Sequence, residues 1–217
     1  MTHKENPKME QSTHDKIKEI KKSLRLSMNG VVSTLQRKQG LNYKINFGVE
    51  TPRLKETARR YAQNRELAVA LWSENIRECK ILAILLMPKS DFTATDAAEW
   101  IASTRYTEIA DQLSMHLLCA LPDAALHAIS WNERNEGLFA YCGFMTLSHL
   151  FRQGVAIDES VENKYLEQAA EILNNNPSAN NVLKMCVHTS LLKYLSLQKE
   201  HTADKIMQNP KLKHFFT

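Results

Sequence analysis

Asn46-Phe47-Gly48-Val49-Glu50-Thr51-Pro52-Arg53-Leu54-Lys55, then Leu71-Trp72-Ser73, then Ile81-Leu82-Ala83-Ile84-Leu85-Leu86-Met87, is the part of the chain whose reading decides the fold. It reads as a short approach loop followed by helices in close succession. Gly48 permits a tight turn, Thr51 suits a helix N-cap, and Pro52 suits the first helical position. Leu54, Ala58 and Tyr61 fall on one helical face, with Arg53, Lys55, Arg59 and Arg60 pointing elsewhere. The stretch Arg77–Met87 is apolar nearly all round, which predicts a buried helix stopped by Pro88.

Working outward, the same helical periodicity fills most of the chain. One long helix is expected from Ser12 to Lys38, with Ile17, Ile20, Leu24, Met28, Val31 and Leu35 as its apolar stripe. Asn29-Gly30 is a point where it could bend or break. Further helices are expected over Thr51–Gln63, Arg65–Ser73, a segment holding Trp100 capped by Thr93 or Thr95, and Tyr106–Leu121 stopped by Pro122. Asp123–Ser130, Leu138–Gln153, Asp158–Asn174, Ala179–Leu197 and Thr202–Gln208 complete the set, and Asp158–Asn174 is amphipathic with Val161, Tyr165, Leu166, Ala169, Ile172 and Leu173 inward. Residues 1–11 read as disordered, and Asn174–Ser178 as a loop.

No segment alternates Val, Ile and Thr as a strand would, and six Gly and six Pro among 217 residues are few for an all-β chain. The fold class is therefore all-α, with residues 12–217 expected to form one domain. Trp72, Trp100 and Trp131 each sit near the end of a short helix that precedes a longer one. Their spacing is shorter than the roughly 40 to 47 residues of a regular HEAT-type repeat.

No run of eighteen apolar residues marks a membrane span, and the N-terminus has no secretory core. The expected location is cytoplasmic. Cys79, Cys119, Cys142 and Cys186 are far apart in sequence, as reduced buried thiols would be. The eight histidines form no metal-ligand motif, and there is no phosphate-binding glycine loop, so neither metal nor cofactor is expected. The net charge of +4 hides an asymmetry: residues 1–65 carry 15 Lys+Arg against 6 Asp+Glu, and the remainder 13 against 18. A basic third on a near-neutral chain points to an anionic partner. Lys18, Lys22, Arg25, Lys44, Arg53, Arg59, Arg60 and Arg105 are the candidate contacts.

The order of these segments, most specific over residues 40–87, resembles the HEAT-like alkylpurine DNA glycosylases, the DNA alkylation repair enzyme family. The resemblance implies a curved α-solenoid of HEAT-like helix pairs that cradles duplex DNA. The chain is expected to be a monomer without membrane association. It also implies hydrolysis of the N-glycosidic bond of a cationic N3- or N7-alkylpurine, without metal or cofactor. A fixed carboxylate would stabilise the oxocarbenium-like sugar and orient the attacking water. The position matching the family's Asp is Asp111, with Glu108 one turn upstream, and Trp100, Tyr106 and Trp131 are the candidate lesion-pocket aromatics.

The chain departs from the family pattern at named places. Thr107 stands where active members place a Trp, and Ala140, in Gly137–Tyr141, where they carry an Arg. Lys184–Lys193 offers only His188 for a further expected aromatic, with Tyr194 just beyond. The alternatives are a non-catalytic relative that binds DNA structures by shape and charge, and a helical protein–protein scaffold.

Overall fold

The computed structural model describes residues 12–174, 180–197 and 200–216. The disorder expected over residues 1–11, and most of the loop expected to follow Asn174, lie outside the described residues. Twelve α-helices account for the described chain; the sole sheet-like feature among these residues is an isolated parallel bridge between Ile45 and Ile76. The helices fall into two compact units, one ending at Asp91 and the other beginning at Phe92.

The first unit contains α1 (Thr13–Leu26), α2 (Gly30–Lys38), α3 (Thr51–Ala58), α4 (Arg65–Ser73) and α5 (Arg77–Leu86). The single helix expected over Ser12–Lys38 is two helices. Asn29 ends the continuity by capping α2, its side chain accepting from the Val32 N–H at 3.2 Å. The expected apolar stripe divides at the same point. Ile20 and Leu24 are buried, whereas Met28, Val31 and Leu35 are 58%, 81% and 54% exposed. The start of α3 is also shifted. Glu50, not Thr51, occupies the N-cap, Pro52 lies in the first turn, and the helix ends at Ala58, well before Gln63.

Helix α5 is the core of this unit and packs against α3 and α4. Its first turn buries an ion pair. Arg77 and Glu78 are 2% and 0% exposed, with Nη1 and Oε1 3.2 Å apart. Glu78 accepts the Phe47 and Val49 N–H groups, both at 3.2 Å, and Arg77 donates to the Val49 carbonyl at 2.9 Å. These bonds satisfy backbone groups of a loop that has no ladder of its own. Two buried charges are tolerable here because each is paired and hydrogen-bonded.

The second unit contains α6 (Ala94–Ser103), α7 (Thr107–His116), α8 (Ala124–Asn132), α9 (Phe139–Arg152), α10 (Glu159–Asn174), α11 (Asn181–Leu195) and α12 (Glu200–Gln208). Thr93 caps α6 through a capping box with Asp96. Helix α9 is central, packed by α7, α8 and α11. Gly143 lets α8 come close: a Cβ there would lie 2.6 Å from the Ala128 carbonyl oxygen and 2.1 Å from Asn132 Oδ1. All six inward positions expected on α10 are buried, including Val161, Tyr165 and Ile172. Tyr165 and Tyr194 form edge-on contacts with each other and with Phe151, at 5.3 to 5.7 Å between ring centres. Their hydroxyls are satisfied by Ser190 Oγ at 3.0 Å and Glu162 Oε1 at 2.7 Å.

Candidate functional site

Asp111 lies on α7, one turn past Thr107, and faces α9. The Tyr141 hydroxyl donates to its Oδ1 at 2.8 Å. Burial raises the Asp111 carboxyl above the usual carboxylate range; the Tyr141 bond opposes that shift, and the Glu108 charge adds to it. Burial and the neighbouring carboxylate also push the Tyr141 phenol well above its ordinary value. Tyr141 therefore remains a proton donor to Asp111 at any neutral pH. The position is fixed by α7–α9 packing, in which Ser114 Oγ also donates to the Cys142 carbonyl at 3.4 Å.

Tyr141 also lines a cleft of about 320 Å³ in the second unit. Thr107 and Ala140 line the same cleft, so the two positions where the resemblance expects Trp and Arg face one space, and both are small. Two cations reach it. Arg105 is exposed on the approach to α7, and Arg134 stands in the α8–α9 connection. Arg134 lies 3.5 Å over the Phe139 ring and pairs with Glu136, its Nε donating at 2.9 Å. The arrangement is a cation-edged cleft next to a hydrogen-bonded, half-buried carboxylate. Among the described residues, no group of three or more His, Cys, Asp or Glu could hold a metal ion.

The aromatic candidates are placed differently. Trp100 is 4% exposed and packs edge-on against Phe92 at 5.4 Å. Trp131 is 5% exposed and stacks with His127 at 5.8 Å. Both indoles belong to the core, and neither lines the cleft. Tyr106 is half-buried at the N-cap of α7. Of the candidates named from sequence, Arg105 alone lines the cleft. Tyr141 and Arg134 were missed. Tyr141 adjoins the Ala140 position, but its partner is thirty residues away, and only the packing of α7 on α9 joins them. Arg134 carries no motif.

Lys18, Lys22, Arg25, Lys44, Arg53, Arg59 and Arg60 are all exposed in the first unit. Lys18, Lys22 and Arg25 recur at helical spacing on α1. Arg59 and Arg60 follow the last residue of α3, where cations complement the helix dipole. The Tyr61 hydroxyl donates to Glu19 Oε1 at 3.1 Å, which ties the turn after α3 to α1 and brings the two cation groups onto neighbouring surface. Burial and Glu19 push the Tyr61 phenol up to about 12. Arg53 is paired with Glu56 at 2.7 Å, both half exposed.

These features define an all-helical protein with a basic surface on its first unit and, in its second, a cation-edged cleft beside a half-buried carboxylate. The profile of the family described as "DNA alkylation repair enzyme" matches residues 15–181, and the chain belongs to that family. No curated protein matches it. A solved structure described as "A new family of proteins related to the HEAT-like repeat DNA glycosylases with affinity for branched DNA structures" is similar, with a TM-score of 0.72 at 19% identity. The match covers 86% of this chain and 80% of that one, and it shows the HEAT-like repeat fold.

Proposed function

We propose that this chain binds DNA by charge and shape, prefers branched to plain duplex DNA, and releases alkylated purines weakly or not at all. The family, and the affinity for branched DNA recorded for a protein of the same fold, support the DNA partner. The observation that carries the catalytic part is the engagement of Asp111 by Tyr141 beside a cleft lined by Thr107 and Ala140.

A glycosylase of this class needs its carboxylate ionised and aimed at the developing oxocarbenium ion. Here burial disfavours the ionised form, and a phenol occupies one oxygen. An aromatic absent at Thr107 forgoes a stacking contact of about 1 to 3 kcal/mol. An Arg absent at Ala140 forgoes charge-assisted bonds of about 1.5 to 3 kcal/mol each. With about 1.4 kcal/mol per tenfold, the rate would fall by several orders of magnitude. Arg105 and Arg134 would remain to hold phosphate.

The test is base release from methylated duplex DNA, measured beside binding to duplex and four-way junction DNA across a salt series. The expected result is junction-preferring, salt-sensitive binding with little free methylpurine. Robust release of 3-methyladenine or 7-methylguanine that Asp111→Asn abolishes would show the chain to be an active glycosylase instead.

A further inference from the structure

Helix α2 presents its polar side to the protein and its apolar side to solvent. The polar side is bonded to the chain at 43–47. Ser33 Oγ donates to the Asn46 carbonyl at 2.7 Å, and Asn46 Nδ2 to Gln36 Oε1 at 2.9 Å. Arg37 Nη1 donates to the Tyr43 carbonyl at 3.3 Å, and the Asn29 N–H to the Phe47 carbonyl at 2.9 Å. Gly48 keeps the contact close, since a Cβ there would lie 2.2 Å from the Asn29 carbonyl oxygen and 2.6 Å from the Ser33 nitrogen. These bonds fix the rotation of the helix about its axis. Val31 and Leu35 are thereby held outward, 81% and 54% exposed, and α2 buries no residue. Leu26, the last residue of α1, and Met28, in the link to α2, are also exposed, by 81% and 58%.

A single exposed leucine means nothing, but four large exposed apolar side chains within ten residues, two of them one turn apart on a helix pinned by its other face, are what an interaction surface shows. Charge selects what covers it. Residues 20–49 carry Lys21, Lys22, Arg25, Arg37, Lys38 and Lys44, with no Asp or Glu. Lys21 bonds Glu74 at 2.5 Å; the other five are exposed. An apolar ridge ringed by cations fits a polyanion that also offers apolar faces. Stacked duplex hides its base faces, whereas a branch point leaves some of them open, and apolar wedges between base steps are an established way to hold bent or opened DNA.

Resting on the DNA-binding reading above, we infer that the ridge of Leu26, Met28, Val31 and Leu35 packs against unstacked bases at a DNA branch point, while Lys22, Arg25 and Lys38 meet the flanking phosphates. The ridge supplies preference for branched DNA, and the cations supply general affinity.

The experiment compares the full chain with Met28→Ser/Val31→Ser on a four-way junction carrying 2-aminopurine at its centre and on linear duplex of the same sequence. Both side chains are solvent-facing, so the variant should melt as the parent does. The expected result is a loss of roughly tenfold or more on the junction, from withdrawn apolar burial. Linear duplex affinity and both salt slopes should be unchanged, because an apolar contact releases no counterions. The 2-aminopurine signal should change on binding the parent but not the variant. Equal losses on both DNAs, or no loss on either, would overturn the ridge while leaving DNA binding standing. No salt-dependent binding to either DNA by the parent would overturn both readings. Parent binding to anionic vesicles that the variant loses, or a parent dimer in light scattering that the variant dissolves, with junction affinity unmoved, would assign the ridge to lipid or to a second copy.

Discussion

The Tyr141 hydroxyl and the Asp111 carboxylate are 2.8 Å apart, and each moves the other's protonation. Removing the hydroxyl in Tyr141→Phe leaves a half-buried carboxylate short of a donor and should cost about 1 kcal/mol. Asp111→Asn keeps an acceptor for Tyr141 while removing a charge that burial opposes, so it should raise the melting temperature. Thermal melts of both variants at pH 7 decide the matter. A clear loss of stability in Asp111→Asn would mean that the charge is favourably held.

The cations on α1 and after α3 should carry salt-dependent affinity. Reversing Arg53, Arg59 and Arg60 together should lower the log–log salt slope by about 0.9 for each phosphate no longer neutralised. The fold should survive, because the Arg53–Glu56 pair is exposed and such pairs contribute about 1 kcal/mol at most. Unchanged slope and affinity in a salt titration would remove these residues from the interface.

Gly48 has φ of +70°, and its Cα sits against the start of α2. Gly48→Ala adds left-handed strain of about 1 to 2 kcal/mol, and its methyl overlaps backbone atoms that cannot swing away. Denaturant unfolding should show a loss of at least about 2 kcal/mol. A smaller loss would indicate that α2 is free to shift.

His149, buried on α9, is held neutral in the fold. Burial, with Arg152 and His116 nearby, pulls it from 6.5 down to about 4. As pH falls below about 6.5, the unfolded chain takes up this proton before the folded one does. Stability should therefore be full above that pH and decline towards pH 4, by up to roughly 3 kcal/mol. Asp111, raised in the fold, acts in the opposite sense at acid pH, so Asp111→Asn is the cleaner background. Unfolding free energies across this window should flatten in His149→Gln, and a slope that persists would assign the effect to other groups.

Most of the fold was legible because helices announce themselves by spacing. The inward set on α10, the stop at Pro88 and the Thr93 cap follow from local chemistry alone. The helix expected to run from Tyr106 to Leu121 instead ends at His116, and a separate 3-10 turn over Leu118–Ala120 precedes Pro122. Asn29-Gly30 marked where the long helix could break, but the facing of α2 after the break misled for a physical reason. The apolar period runs unbroken through Met28, Val31 and Leu35, and nothing local says that α2 is bonded through its other face. In the candidate site, Asp111 was singled out by family pattern and the cations by charge, and both are readings of residue type and order. Tyr141 was not singled out, because its pairing is tertiary. The same holds for the tryptophans: side-chain type marked Trp100 and Trp131, but only packing shows that both indoles lie in the core.

Glu78 gives the loop before α3 a clock as well as a shape. Hydrogen exchange at an amide requires the bond it makes to open. The Phe47 and Val49 amides are bonded not to a neighbouring strand or turn but to a carboxylate of zero exposure at the head of α5. Neither can open unless that end of α5 lets go. Two amides in irregular chain should then exchange as slowly as those in the buried middle of α5, so the loop keeps the time of the helix that holds it.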